Sequence, residues 1–551
     1  MDCTAQFIGY QKTGAFSRLV TDYLGGSETL RPFYTHPVSL QGLRDAIRER
    51  EAYPTDRAAL VQALRAQYQI LATGSPAAAP LDISGPVAHS LDLLEKPTTF
   101  TITTAHQPNI FTGHLYFIYK ILHTIRLAAY AKQEMPQYDF VPVYFMGSED
   151  ADIEELGHIY TGTEKLTWET AQTGAVGRMS PQGLDVLIRR LEGEFGGLPF
   201  GPDMVALCKA AYLEHPTIQE ATLYLVHALF AEYGLVVLIP DSEPLKRLFL
   251  PILRRELSEG FSHAAVSKTI ASLSAHYKVQ AGGRDVNLFY LKDNLRNRIV
   301  REESSAPEGD APGGFAVLDT DLRFSEAEMQ TELETHPDRF SPNVILRGVF
   351  QEQILPGIAF IGGGGELAYW LELKDVFQAA GVPYPVLVLR NSFLLVRQEW
   401  CQKARELDMP LSQWFAPAQD LVNQLVRRES AHQLSLEKEI DSMNALYAHI
   451  STLASGIDIT LQQHIAALQT RAIKGLNTLE KKLLKAEKYH FEAHQRQIRV
   501  IKNALFPNGG LQERVENFMP YYAAYGKGLI ARLYEYSKPL EQQFCILTLP
   551  D

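Results

Sequence analysis

The chain has 551 residues, 46% of them hydrophobic and 21% charged, with a formal net charge of −12. That balance excludes a disordered polymer and gives enough chain for about three or four packing units of ~150 residues each. Net acidity repels phosphate backbones, so nucleic acid is not an expected partner, although a local basic pocket for a small anion is compatible with it.

The four cysteines, Cys3, Cys208, Cys401 and Cys545, are scattered and form no CxxC pair. They read as reduced thiols rather than a disulfide framework or zinc knuckle, and no structural metal is expected. The start Met1-Asp2-Cys3 has no signal-peptide pattern, and no run approaches the ~18 apolar residues of a membrane span. A cytoplasmic protein without membrane contact is expected.

In chain order, residues 1–95 read as a helical part. Arg44 to Arg65 is rich in Ala, Arg, Glu and Leu, and Pro54-Thr55-Asp56 divides it into two helices. Gly74 to Pro80 reads as a linker or exposed loop. Residues 96–160 begin an α/β core, with a strand at Thr99 to Thr104, a helix over His114 to Lys132 and a strand at Phe140 to Met146. Residues 161–232 read as a helical insertion. The core returns over 233–260 with a strand at Gly234 to Ile239 and a helix from Glu243 to Leu257. A second, α+β insertion covers 261–340, with a β-rich piece at Val286 to Tyr290 and an acidic loop from Glu302 to Gly314. The core's second half, 341–415, has strands at Ile358 to Ile361 and Pro385 to Leu389 around a helix from Glu366 to Ala379. Short continuous apolar strands alternating with helices predict a parallel sheet covered on both faces.

Over 416–505 the apolar period changes. Leu436, Ile440, Met443, Tyr447, Ile450 and Ala454 step by fours and threes, Ser455 to Asp458 interrupts, and Leu461, Ile465, Leu468 and Ala472 resume. After one extra step Leu476, Leu479, Leu483 and Ala486 continue, a stuttered heptad pattern that predicts an antiparallel helical hairpin. Residues 506–551 are expected to return to the core.

Three clusters stand where strands end, the ligand side of an open α/β sheet. The first joins a strand to a helix through His106, Gln107, Asn109, Thr112, Gly113 and His114. A helix start offers unpaired N–H groups for a carboxylate or phosphate. The histidines can donate to anionic oxygens, Gln107, Asn109 and Thr112 can orient a ligand, and Lys120 can reach either anion or solvent. A capped turn with surface histidines is the plainer reading. The second cluster follows Phe140 to Met146 and contains Ser148, Glu149, Asp150 and Asp152. Carboxylates there can bind an amine, hold magnesium or act as a base; an acidic helix start is equally compatible. The third is Gly362-Gly363-Gly364-Gly365-Glu366, with Tyr369 and Trp370 one turn on and Asn343 and Arg347 upstream. Bare backbone amides can wrap an anion, or simply make a tight turn.

In this order the motifs TTAHQPNIFTGHLYFIYK (103–120), VPVYFMGSEDADIEEL (141–156), YKVQAGGRDVNLFYL (277–291), SPNVILR (341–347), LPGIAFIGGGGELAYW (355–370) and LFPNGGLQER (505–514) resemble the bacillithiol cysteine-adding family. The match spans about residue 30 to the C-terminus. It departs from the family pattern at His106, at His114 and Gly348, where proline is common, and in the proline-free glycine run.

The resemblance implies a Rossmann-type core of class I synthetase-like architecture with connecting-peptide insertions, and a coiled coil supporting a homodimer. It implies a ligase joining cysteine to the glucosamine amine of glucosaminyl-malate, with ATP, accompanied by Mg2+, activating the carboxylate. Mapped onto this chain, the 112–114 turn and the 362–365 amides would hold a malate carboxylate or phosphate. His106, His114 and Arg347 would add positive charge, Glu149 or Asp152 would hold or deprotonate the amine, and Glu366 would be a further catalytic group. Tyr525, Gly526 and Lys527 stand as a composition-based site for a second nucleotide. Two rival readings are another adenylate-forming or nucleotidyl-transferring enzyme and a non-catalytic coiled-coil adaptor that binds a nucleotide.

Overall fold

Five short apolar runs pair into one fully parallel sheet in a computed structural model that describes residues 3–73, 84–162, 164–302 and 313–550. In space the strands lie in the order Val386–Leu389, Gly357–Gly362, Thr99–His106, Asp139–Met146 and Val236–Leu238. The chain therefore starts in the middle, winds outward one way through the second and third strands, then crosses back and winds the other way. This is the doubly wound Rossmann arrangement, and the reversal between the 99–106 and 357–362 strands is where such sheets open a crevice.

The central strand is buried along nearly all its length, as a strand covered on both faces must be. Its threonines are held inside the sheet: Thr104 Oγ1 donates to Ile361 O at 2.8 Å. The Leu115–Glu134 helix crosses from the first strand to the second, with most of its residues buried. At the opposite end of the sheet Arg50 fixes the helix Leu40–Glu51 to the fourth strand, donating to Gly357 O and Glu352 O and pairing with the Glu352 carboxylate at 2.8 Å.

Two further sheets frame this core. An antiparallel five-stranded sheet in the second insertion has the order Arg323–Phe324, Phe315–Val317, Leu295–Arg301, Leu288–Lys292 and Phe340–Pro342. A three-stranded sheet joins the chain ends: Gln543–Leu549 lies between Thr4–Gly9 and Ser392–Arg397. The expected helical character of residues 1–95 is therefore broken by a strand at 4–9. The last segment adds a strand to this small sheet, and its helix Lys527–Tyr536 packs on the core helix Leu115–Glu134. Two helices read as single are each divided, into Glu243–Arg247 and Leu250–Glu259, and into Gly364–Trp370 and Lys374–Ala380. Gly74 to Pro80, and most of the loop from Glu302 to Gly314, lie outside the described residues.

The heptad-like run forms the helices Glu437–Ser455 and Leu461–Lys488, packed against each other around the break at Gly456. Arg427 on the Ala418–Glu429 helix pairs with Glu480 at 2.8 Å, anchoring the hairpin base. Its tip leaves Leu453, Ile457 and Ile459 exposed, and Leu446 is exposed midway along the first helix. Among the described residues no helix is long and apolar enough to cross a membrane.

Candidate functional site

A cleft of about 600 Å3 opens at the reversal in strand order, within the usual range for a small-molecule site. Every core segment that ends near the crevice supplies part of its wall. Ala105, His106 and Gln107 come from the first strand's end, Gly147, Asp150 and Glu155 from beyond the second, Gly363 to Glu366 and Tyr369 from beyond the fourth, and Arg390 from beyond the fifth. Asn343, Val344 and Arg347 enter from the start of the Val344–Ile354 helix. The second insertion adds Gln280 to Gly282, Arg284, Phe289 and Arg296, and the C-terminal segment adds Arg514.

The lining carries five arginines (284, 296, 347, 390, 514) against three carboxylates (Asp150, Glu155, Glu366). In a chain of net charge −12, this concentrates positive charge where an anion would dock. Asp150 ties the second cluster to the Val344–Ile354 helix. Its carboxylate lies 3.8 Å from Arg347 Nη1 and accepts from Gln107 Nε2 at 3.4 Å. Burial pushes the Asp150 carboxyl up, but Arg347 and Arg296 more than offset this and hold it ionised below the usual range. Burial, with Arg347 beside it, lowers Arg296 to about 10, so its guanidinium stays charged at neutral pH. It lies over the Phe289 ring at 3.9 Å, a stacking geometry favourable for a cation.

Glu155 behaves differently. Burial, then the charges of Asp150 and Asp152, raise its carboxyl above the ordinary value, which moves it toward the range useful for proton transfer. His106 is held between Tyr116 and Phe117, ring centroids 5.3 and 5.1 Å away. Burial, then Lys120, push it well below its normal value, so the ring is neutral, and its Nε2 has no hydrogen-bond partner among the described residues.

Of the predicted residues, the fold brings His106, Gln107, Asp150, Asn343, Arg347, Gly363, Gly364, Gly365, Glu366 and Tyr369 to this cleft. Asn343 is set there by its neighbours: Nδ2 donates to Asn287 Oδ1 at 2.8 Å and Oδ1 caps the helix at Ile345 N–H. Glu366 turns back on its own helix start, accepting from Gly363 N–H at 2.8 Å and pairing with Lys120 Nζ at 2.6 Å. Part of the glycine-run anion cradle is thus occupied by this chain's own carboxylate. Lys120 is buried and also donates to Ala105 O, so it braces the floor and does not reach the ligand space.

The other predicted residues fall elsewhere. Ser148 and Glu149 turn beneath the cleft. Ser148 is fully buried with its carbonyl accepting from Gly177 N–H at 2.9 Å, and Glu149 forms a buried ion pair with Lys246, whose Nζ also donates to Phe340 O. Asp152 is an exposed N-cap accepting from Glu155 N–H at 3.0 Å. The turn with Asn109, Thr112, Gly113 and His114 is a joint to the C-terminal segment. Asn517 Nδ2 donates to Phe111 O at 2.8 Å and to Gly113 O at 2.5 Å, and His114 Nδ1 meets Val515 O at 3.2 Å. Phe111 and Thr112 hold positive φ of 50° and 67°, unusual for such side chains and sustained by this clamp. At Gly113 a Cβ would lie 2.7 Å from Asn109 Cβ, so the glycine serves packing. Trp370 points into the core, stacked on Phe360 at 4.3 Å. Tyr525 Oη donates to Pro550 O, Gly526 packs against Phe200 and Lys527 is exposed, all away from the cleft lining.

The residues missed by sequence reasoning are Arg284, Arg296, Arg390, Arg514 and Glu155. Arg284 and Arg514 lie inside motifs that carried the family resemblance, Glu155 inside the acidic cluster, and Arg390 directly after an apolar strand. Only Arg296, one of three arginines in the Leu295–Arg301 strand, had no distinguishing signal.

Comparison with known proteins agrees with this architecture. A family model described as the bacillithiol biosynthesis BshC N-terminal Rossmann-like domain matches residues 1–391, and one described as the BshC C-terminal coiled-coil domain matches 393–549. A protein of Flavobacterium johnsoniae named "Putative cysteine ligase BshC" is 38% identical, covering 98% of this chain and 99% of its own length. One of the same name from Christiangramia forsetii is 36% identical, with 98% of both chains covered. A solved structure from Campylobacter jejuni, described as a "putative arginyl t-RNA synthetase", aligns over 86% of this chain and 95% of that one at 11% identity and a TM-score of 0.21, too low to bear on fold or chemistry. With both matched segments together spanning nearly the whole sequence, and with relatives above 30% identity along its length, the chain belongs to the bacillithiol biosynthesis BshC family.

Proposed function

We propose that the protein is a cytosolic cysteine ligase, joining the carboxyl group of L-cysteine to the glucosamine amine of glucosaminyl-malate to give bacillithiol, with ATP as Mg2+ complex supplying the activation. The observation that carries this reading is the surplus of arginines around an acidic pair at the strand-order reversal, in a chain whose relatives are named for cysteine ligation. Malate brings two carboxylates and ATP brings phosphates, and both need fixed cations in a partly dehydrated cleft.

Arg284, Arg296, Arg347 and Arg514 hold these anions. Asp150, kept ionised by Arg347 and Arg296, attracts the substrate's ammonium group. Glu155, with its raised carboxyl, takes the proton that the amine loses as its nitrogen bonds to the carbonyl carbon of the ATP-activated cysteine, while the bond from that carbon to the phosphate-bearing oxygen breaks and releases phosphate or AMP. Neutral His106 donates or accepts a hydrogen bond without adding charge. The exposed apolar residues at the hairpin tip support a homodimer formed through the coiled coil, which sedimentation of Ile457→Asp against wild type tests.

The defining experiment incubates the purified chain with glucosaminyl-malate, cysteine and Mg-ATP, with ATP omitted in parallel, and detects bacillithiol by mass spectrometry. Product only with ATP is the expected result. Pyrophosphate release without bacillithiol would transfer the site to another adenylate-forming reaction, and no product from folded protein under either condition would overturn the assignment.

A further inference from the structure

Arg390 is placed with unusual rigidity. Its backbone N–H donates to Gly362 O at 2.8 Å, across the fourth and fifth strands. Its side chain lines the cleft yet is only 2% exposed. Nη1 donates to Asn391 O at 3.1 Å and Ser392 Oγ at 3.0 Å, Nη2 donates to Glu513 Oε1 at 2.7 Å, and the Tyr116 ring lies 5.1 Å from Cζ. Three of its five N–H donors are thus used, and Nε is the one nitrogen of the guanidinium that has no partner among the described residues. It faces Gly363, where a Cβ would sit 3.6 Å from Nε and 3.4 Å from Glu366 Oε2; the absent side chain leaves an approach to Nε that is bordered by the Glu366 carboxylate, whose charge Lys120 offsets. A buried donor on a permanent cation is costly to leave unmade, and a guanidinium presents its donors in a fixed plane suited to oxyanions.

Glu513 is fully buried and comes from the far end of the sequence. Its Oε1 accepts from Arg390 and also from Ser392 Oγ at 3.2 Å. Burial opposes the charge on Arg390, but Glu513 more than offsets that and holds the guanidinium above its ordinary pKa.

We infer that Arg390 receives a substrate oxyanion, a carboxylate or phosphoryl oxygen, on Nε–H beside Gly363, and that Glu513 is its positioning residue. This deepens the ligase reading and rests on it for the identity of the substrate. It also means that the cleft is incomplete within residues 1–391: the segment matched as the coiled-coil domain supplies both the anchor for Arg390 and the neighbouring Arg514.

The test titrates the full chain calorimetrically with two separate probes, L-malate and ADP, in wild type, Arg390→Lys and Glu513→Gln, with thermal unfolding confirming the fold. Arg390→Lys keeps the charge but loses the planar donor set. Both substitutions are expected to weaken one probe about tenfold or more, the loss of a charge-assisted hydrogen bond, while leaving the other within about twofold. Selective loss of malate identifies the sugar-malate carboxylate as the oxyanion, and selective loss of ADP identifies a phosphoryl oxygen. If Glu513→Gln does not fold, Ser392→Ala, which removes only the bridging hydroxyl, must weaken the same probe as Arg390→Lys. Equal weakening of both probes, no weakening, or no binding of either probe by wild type overturns the inference. Wild-type protein that makes no bacillithiol yet shows the selective loss retains the anion site and loses the ligase reading; active wild type without selective loss retains the ligase and loses the role of Arg390.

Discussion

Glu149 is the strand-end carboxylate that position alone marks as the base, and its burial makes a different prediction. The side chain is 5% exposed and forms an ion pair with Lys246, itself 0% exposed. Among the described residues, Glu149→Ala would leave the ammonium group with the hydrogen bond to Phe340 O and the nearby Phe350 ring. Breaking a buried pair from one side costs about 3–5 kcal/mol. For a cooperative unit the size of the 391-residue matched segment, an unfolding entropy of ~2.1 cal/mol/K per residue gives about 0.8 kcal/mol/K, and hence a fall in Tm of about 4–6 °C. Calorimetry of Glu149→Ala should show this fall, with turnover well below the transition within about twofold of wild type. The double variant Glu149→Leu/Lys246→Met, which removes both charges, should recover most of the loss, because apolar replacement of a buried pair is often neutral or better. A Glu149→Ala protein with wild-type Tm and abolished turnover would refute the reasoning and return this carboxylate to the cleft.

Three other perturbations probe the remaining chemistry. Glu155→Gln should lower kcat about 100-fold; because the wild-type carboxyl is raised by burial and by Asp150 and Asp152, the wild-type rate should fall on acidification at a pH above the ordinary carboxylate range, and a variant that keeps this acid limb would exclude Glu155 as its source. Burial lifts Glu516 from 4.5 to about 7, so the folded state holds this proton more tightly than the unfolded one: the contribution to stability is full below about pH 4.5, declines as pH rises and is lost above about pH 7. That shift corresponds to about 3 kcal/mol, and urea unfolding at pH 5 and pH 8 should show the decline in wild type and its absence in Glu516→Gln; parallel pH profiles would contradict it. Gly348→Val should destabilise by about 1–3 kcal/mol through overpacking, since a Cβ at Gly348 already lies 3.0 Å from Trp370 Cζ2 and Cη2; an unchanged Tm would show that the indole can yield.

The parallel core was readable because its physics is local. Thr99–His106 and Asp139–Met146 are continuous apolar or threonine-rich runs, and burial on both faces demands that pattern. The hairpin was readable because Ser455 to Asp458 interrupts a repeat that resumes on its far side. The three-stranded sheet escaped notice because pairing Thr4–Gly9 with Gln543–Leu549 is a relation between chain ends that neither run announces alone. The same distinction divides the site. Its strand-end motifs point to the right edge of the sheet, yet which side chains face the crevice depends on distant partners: Lys246 draws Glu149 down, Asn517 seizes the turn at Gly113, and Phe360 takes Trp370 into the core. Counting positions from a strand end cannot reveal those partners.

The distant partners also explain how an acidic chain makes a cationic cleft. A parallel sheet ends in a row of loops whose own sequence must turn tightly, and here those loops are rich in glycine, asparagine and acidic residues, which cap helices and make turns well but carry little positive charge. Apart from Arg390, which follows the fifth strand directly, the cations come from elements that reach the crevice from elsewhere: Arg284 and Arg296 from the second insertion, Arg347 from the helix after it, Arg514 from the C-terminal segment. Each arrives on a segment fixed by its own buried polar contact. Asn287 N–H donates to the buried Glu256 carboxylate at 2.9 Å, holding the insertion beside Arg284, and Gln512 exchanges hydrogen bonds with the Leu395 backbone, holding the segment that bears Arg514. Charge in the cleft is therefore a product of tertiary assembly. Loosening either segment would dilute the field that draws in an anion before it disturbed the parallel sheet beneath.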